Sequence, residues 1–175
     1  AIAETTGFGL LRSEVISTAQ GQVRETEWQR VDASGQAFGL HRYQSVGAVT
    51  IATLLYLPGT NMNGVLKTTD SDHNLWLYMA ERGIEVYAMD YRTRYIPHDF
   101  SGDLALMRDW SMDLFVEDAV MAVTKVQEEQ PLVPMYIAGF SRGAALAYGL
   151  AGQVEAAGLV ALDGSFKKQP FEAYD

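Results

Sequence analysis

The stretch Met135-Tyr136-Ile137-Ala138-Gly139-Phe140-Ser141-Arg142-Gly143-Ala144-Ala145-Leu146-Ala147-Tyr148-Gly149-Leu150 decides how this chain is read. It opens as a short apolar run, turns through Gly-x-Ser-x-Gly, and continues as a helix of small residues. A serine on a sharp strand-to-helix turn stands clear of the sheet, and glycines on either side relieve the crowding. The five-residue pattern alone is weak. Its weight comes from the strand expected before it and the helix expected after it. An ordinary glycine-rich turn carrying an incidental serine remains the bland alternative at this point.

Upstream of this stretch, Ser111 to Glu129 carries the clearest helical period. Phe115, Ala119, Ala122 and Val126 make one apolar row, and Val116, Val120 and Val123 lie beside it. Ser111 suits an N-cap, and Asp113, Glu117 and Asp118 suit the positive start of a helix. Pro131 and Pro134 end that helix before the strand at Met135. Further upstream, Thr50 to Leu57 is nearly continuous in apolar residues, as expected of a strand covered on both faces. The Gly59–Gly64 loop follows. Asp72 to Arg82 then reads as a helix stopped by Gly83, and Ile84 to Met89 as another strand. Gly158 to Leu162 makes a last short strand, ending at Asp163-Gly164-Ser165.

The N-terminal third reads differently. Glu14 to Tyr43 alternates with a period of two and turns at Asp32-Ala33-Ser34-Gly35, the pattern of an antiparallel hairpin. Trp28 within it reads as packing. Residues 1–12 show no period and read as an arm, and the tail from Phe166 to Asp175 shows none either. Residues 91–112 break the strand–helix rhythm and read as a lid, a binding loop or a solvated connector. The expected fold class is therefore α/β, in one domain over 1–175. It has a mostly parallel central sheet, helices on both faces and an N-terminal antiparallel hairpin. Ligands of such sheets bind beyond the carboxyl ends of the strands. Those ends carry Pro58-Gly59-Thr60, Asp90-Tyr91-Arg92, Gly139-Phe140-Ser141 and Asp163-Gly164.

Bulk properties narrow the chemistry. The 175 residues carry a formal charge of −9, which argues against a nucleic-acid partner and against adsorption to an anionic membrane. There is no cysteine, so thiolate catalysis and cysteine-bound zinc are excluded. The histidines are far apart in sequence and no His-Glu motif occurs, so no metal is expected. Neither glycine-rich loop has nucleotide-binding spacing, and no cofactor is expected. No apolar run reaches the ~18 residues of a membrane span. A chain that starts at Ala1 fits a processed exported protein or a trimmed one, which slightly favours an extracellular or periplasmic setting over the cytoplasm.

From about Glu14 to Ser165 the order and character of the elements resemble the α/β-hydrolase family. Gly139-Phe140-Ser141-Arg142-Gly143 matches that family's serine elbow position for position. Leu57-Pro58-Gly59-Thr60 falls where many members have His-Gly, with proline in place of the histidine. The resemblance implies that Ser141 is a nucleophile toward a carbonyl carbon of a small acyl substrate. It implies an oxyanion held by the backbone N–H groups of Arg142 and Thr60. The family order is serine, acid, histidine. Here Asp163 is the plausible acid, although Asp-Gly-Ser is also a common turn opener. All three histidines (His41, His73 and His98) precede Ser141.

His41 is expected at an exposed hairpin edge. His73 and His98 are each able to approach the site, but the three together are read as non-catalytic. Arg92 and Arg94 are candidates for binding a carboxylate or phosphate. The family's last strands and its histidine loop have no counterpart, so Leu159–Leu162 is expected at an exposed apolar edge. The expectation is an N-terminal two-thirds of a serine hydrolase, with the base on a C-terminal remainder of the same protein. The alternative is a non-catalytic binding or scaffold module of the same fold.

Overall fold

Alternating side chains of two central strands build two cores, one on each side of a single sheet. The computed structural model describes residues 7–66, 68 and 73–164. In chain order it contains β1 (Gly9–Ser17), β2 (Gln22–Val31), β3 (Ala37–Ser45), β4 (Ala52–Leu57), α1 (Leu75–Ala80) and β5 (Ile84–Asp90). After two 3-10 turns, Arg92–Tyr95 and Leu104–Met107, come α2 (Met112–Glu129), β6 (Met135–Phe140), α3 (Arg142–Ala151) and β7 (Gly158–Leu162). The strands form one sheet in the order β1-β2-β3-β5-β4-β6-β7. Pairings from β1 to β5 are antiparallel, and those among β5, β4, β6 and β7 are parallel. The sheet is thus mixed, and the expected hairpin is a three-strand meander that joins the parallel part at β5.

Leu55 and Leu57 of β4 and Tyr87 and Met89 of β5 face α2 and α3, where they meet Phe115, Ala119, Val123, Leu146 and Leu150. Their neighbours Leu54, Tyr56, Val86 and Ala88 face α1, against Trp76, Leu77 and Ala80. This two-sided burial is why Thr50–Leu57 lacks alternation in sequence. Helices cover both faces, as expected. The apolar row of α2 is buried at Phe115, Val116, Ala119, Ala122, Val123 and Val126, and Trp28 is 7% exposed in the same core. Ser111 caps α2 by accepting from the Leu114 N–H at 3.2 Å. Gly83, at φ 78°, ends the turn after α1.

Three sequence expectations change. Residues 9–12 belong to β1 and not to an arm; β1 is exposed along almost its whole length, which erased any alternation. Asp118 is buried within α2 and does not serve the helix start, where only Asp113 lies in the first turn. Finally, Arg92 is 4% exposed, so the 91–112 excursion begins inside the protein. Its guanidinium holds Asp118 at 2.6 and 2.7 Å and also pairs with Asp32, so it is a structural cation and no ligand-binding one. Residues 1–6 of the arm and the tail from Ser165 onward lie outside the described residues.

Candidate active site

Ser141 has φ 53° and ψ −117°, a conformation that side chains rarely adopt. Such strain persists only where the surroundings enforce it, and it concentrates at functional positions. Here the surroundings are close backbone approaches on both sides. A methyl group on Gly143 would strike the carbonyl oxygens of Leu57 and Pro58, and one on Gly139 would strike Gly143. Glycine is therefore required at both positions for α3 to start against the end of β4. The Ser141 N–H donates to Leu162 O at 2.9 Å, and Ser141 O accepts from the Ala144 N–H at 3.0 Å. The residue itself is exposed.

These contacts bring three strand ends together. The Pro58–Thr60 segment lies over Phe140, since a methyl on Gly59 would come within 2.9 Å of that ring. Gly164 packs against the first turn of α3, where a methyl would meet the side chain of Ala144. Thr60, Arg142 and Asp163 thus sit on the segments that surround Ser141. Arg142 opens α3, and the first N–H groups of a helix have no intrahelical acceptor. Its guanidinium stands 5.0 Å from the centre of the Phe115 ring. Asp163 is exposed, with φ 46°.

The loop after β4 is pinned from β5, a feature the sequence reading did not isolate. Tyr91 Oη donates to Pro58 O at 2.8 Å at one end of the loop. At the other end the Gly64 N–H donates to Asp90 Oδ1 at 2.8 Å, and Trp76 Nε1 donates to Gly64 O at 3.0 Å. Consecutive residues at the carboxyl end of β5 hold both ends of Pro58–Gly64. The strand-end rule pointed at Asp90-Tyr91-Arg92 but could not show which partner each side chain takes.

His41 is not at an exposed edge: it is 1% exposed, because the β2–β3 register sets it opposite Glu27 and the β3–β5 pairing brings it beside the strand that ends in Asp90. Its Nε2 lies 2.9 Å from Asp90 Oδ2, and its Nδ1 lies 3.3 Å from Glu25 Oε1. Burial pulls the imidazole pKa down, but hydrogen bonds to Asp90 and Glu25 outweigh it, and the pKa is pushed up to about 9. His41 is thus a buried imidazolium at neutral pH.

Glu27, His41 and Asp90 bring ligand atoms within 4.8 Å of one another. That arrangement is filled by cations of the chain itself. Besides the imidazolium, Arg94 Nε lies 2.7 Å from Asp90 and Arg12 meets both Glu25 and Glu27. The donor set therefore suits a protonated histidine among carboxylates better than a metal.

His98 lines a cavity of about 370 Å³ with Asn61, Met62, Asn63, Thr93, Arg94 and Ile96, beside the pinned loop. A larger cavity of about 660 Å³ lies at the start of β6 and β7, lined by Met135 and Gly158, at the end of the sheet away from Ser141. It is not the cleft of the serine.

A mixed sheet with helices on both faces, and a strained serine between β6 and α3, defines the α/β-hydrolase fold. Within that class the chain belongs to the family described as serine aminopeptidase, S33, whose model matches residues 60–171. Comparison with curated proteins returns no match. Among solved structures, a candidate lipase from Sulfolobus solfataricus superimposes with a TM-score of 0.81 at 23% identity, over 94% of this chain and 51% of that one. The α/β hydrolase GrgF from Penicillium sp. gives 0.56 at 18% identity, over 80% and 46%. A cold-adapted esterase from an Arctic intertidal metagenomic library gives 0.55 at 15% identity, over 80% and 59%. At these identities the likeness is one of fold. The chain spans about half the length of the structures it matches.

Proposed function

We propose that this chain carries the nucleophile of a serine hydrolase that cleaves an ester, amide or related acyl bond. The observation that carries the reading is the strained, exposed Ser141 turn, held between Gly139 and Gly143. Family membership supports a hydrolase, and the lipase and esterase described above support an acyl substrate by analogy of fold.

In this reading Ser141 Oγ attacks the carbonyl carbon while a general base takes its proton. The carbonyl oxygen becomes an oxyanion, stabilised by the N–H groups of Arg142 and Thr60. The carbon–heteroatom bond then breaks, and the leaving alcohol or amine takes the proton from the base. Water attacks the acyl-enzyme by the same route, releasing the acid and restoring Ser141. Asp163 is the proposed acid that orients the base.

The base is proposed to come from a part of the protein beyond this chain. One observation supports that: among the described residues β7 is the last strand of the sheet, with Leu159, Val160 and Leu162 36–43% exposed. The test is turnover of a short-chain neutral ester by the complete protein and by its Ser141→Ala variant. The expected result is a loss of at least about 10³-fold in kcat for the variant. Equal turnover by both proteins overturns the reading in favour of a non-catalytic module.

A further inference from the structure

We propose that Asp90 is a positioning residue for the oxyanion loop, and that protonated His41 holds Asp90 in place for that task. The inference rests on the acyl-enzyme reading, because it concerns the loop that carries the Thr60 N–H. It goes beyond that reading by linking turnover to a buried ionic cluster that touches no substrate.

Asp90 is fully buried and joins three elements. Its Oδ1 accepts the Gly64 N–H at 2.8 Å, while its Oδ2 meets His41 Nε2 of β3 at 2.9 Å and Arg94 Nε at 2.7 Å. Gly64 has no room for a side chain. A methyl there would strike the Ala88 carbonyl of β5, so the loop end lies flat on the strand. With Tyr91 holding Pro58 at the near end, the loop is fixed at two points while its tip stays exposed. An oxyanion donor contributes only if it is already aimed when charge develops. A loop anchored through Asp90 meets that requirement, and a loose one does not.

The anchor depends on charge balance. Arg12 faces the cluster from β1, Glu25 and Glu27 from β2, and Arg94 from the turn after β5. Tyr43 donates to Glu25 at 3.1 Å, and Tyr95 stands near Asp90. Burial pushes both of these phenols up, and Glu25 is held below its ordinary value despite its own burial, by His41 and Arg12. His41 is then the member that loses its proton near pH 9. On that loss, the buried site around Asp90 holds one cation fewer, and the seat of Gly64 loosens.

The experiment measures kcat and KM of the complete protein for a neutral short-chain ester in a pH-stat, from about pH 6 to about pH 10. It uses wild type, Asp90→Asn and His41→Gln. Wild-type kcat is expected to fall with an apparent pKa of about 9 while KM stays constant. Asp90→Asn is expected to lose about tenfold in kcat at pH 7, well below its Tm, with KM within about twofold. His41→Gln is expected to lose the alkaline fall. A merely structural role would lower Tm and leave kcat, KM and the pH profile alone.

A wild-type kcat that is flat through pH 10, an alkaline fall kept in His41→Gln, or an unchanged kcat in folded Asp90→Asn overturns the inference. The wild-type profile decides even where the variants do not fold. Turnover that is absent in wild type, by contrast, strikes the acyl-enzyme reading itself.

Discussion

The backbone N–H of Ser141 donates to the carbonyl oxygen of Leu162 at 2.9 Å, so the serine turn is closed by the edge strand β7. The nucleophile candidate therefore depends on the last described strand as much as on its own. Around it, Gly143 lies so close to Leu57 and Pro58 that a single carbon has no room.

Gly143→Ala is expected to destabilise the protein by at least about 1–3 kcal/mol, because the obstructing atoms are backbone and cannot rotate away. Urea unfolding of the complete protein checks this. A midpoint equal to wild type would mean that α3 starts farther from β4 than described.

Ser141→Gly and Ser141→Ala separate strain from chemistry. Both remove the hydroxyl and are expected to abolish turnover. Only glycine accepts φ 53° freely, so Ser141→Gly is expected to be about 1 kcal/mol more stable than Ser141→Ala. Equal stabilities in thermal or urea unfolding would argue against a strained turn.

Removing Arg92 leaves Asp118 buried without its cation. Burial already raises the Asp118 pKa, and Arg92 is what opposes that rise. Arg92→Met is expected to cost about 3–5 kcal/mol, the penalty of an uncompensated buried charge. The double variant Arg92→Met with Asp118→Leu is expected to recover most of it. Additive losses in this cycle would show that the pair contributes little.

Stability should also report the His41 cluster. The folded-state pKa of about 9 lies above the ordinary value of 6.5, so protonated His41 stabilises the fold fully below about pH 6.5. That contribution is lost as pH rises through about 9. The Tm of the complete protein is expected to fall between about pH 7 and pH 10, and the fall to shrink in His41→Gln. A wild-type Tm that is level across this range would contradict a buried imidazolium.

The elbow was legible in sequence because its physics is local: two glycines, one serine and the period change from strand to helix lie within sixteen residues. The helix α2 and the strand β4 were legible for the same reason, through rows and runs of apolar side chains. The His41–Asp90 pair was not, since 49 residues separate its members and only the β3–β5 pairing brings them together. Arg92 read as a candidate for binding a carboxylate or phosphate because its partner Asp118 looked like an ordinary acidic residue near a helix start. β1 was missed at its beginning because a strand exposed on both faces has no alternation to read.

The most direct test of the central claim is labelling of the complete protein with a fluorophosphonate, followed by mapping of the adduct by peptide mass spectrometry. The expected result is one adduct, on Ser141, absent from Ser141→Ala and formed faster at pH 8 than at pH 5 as the base loses its proton. No adduct on folded protein, or an adduct on another residue that survives Ser141→Ala, would contradict a nucleophilic Ser141.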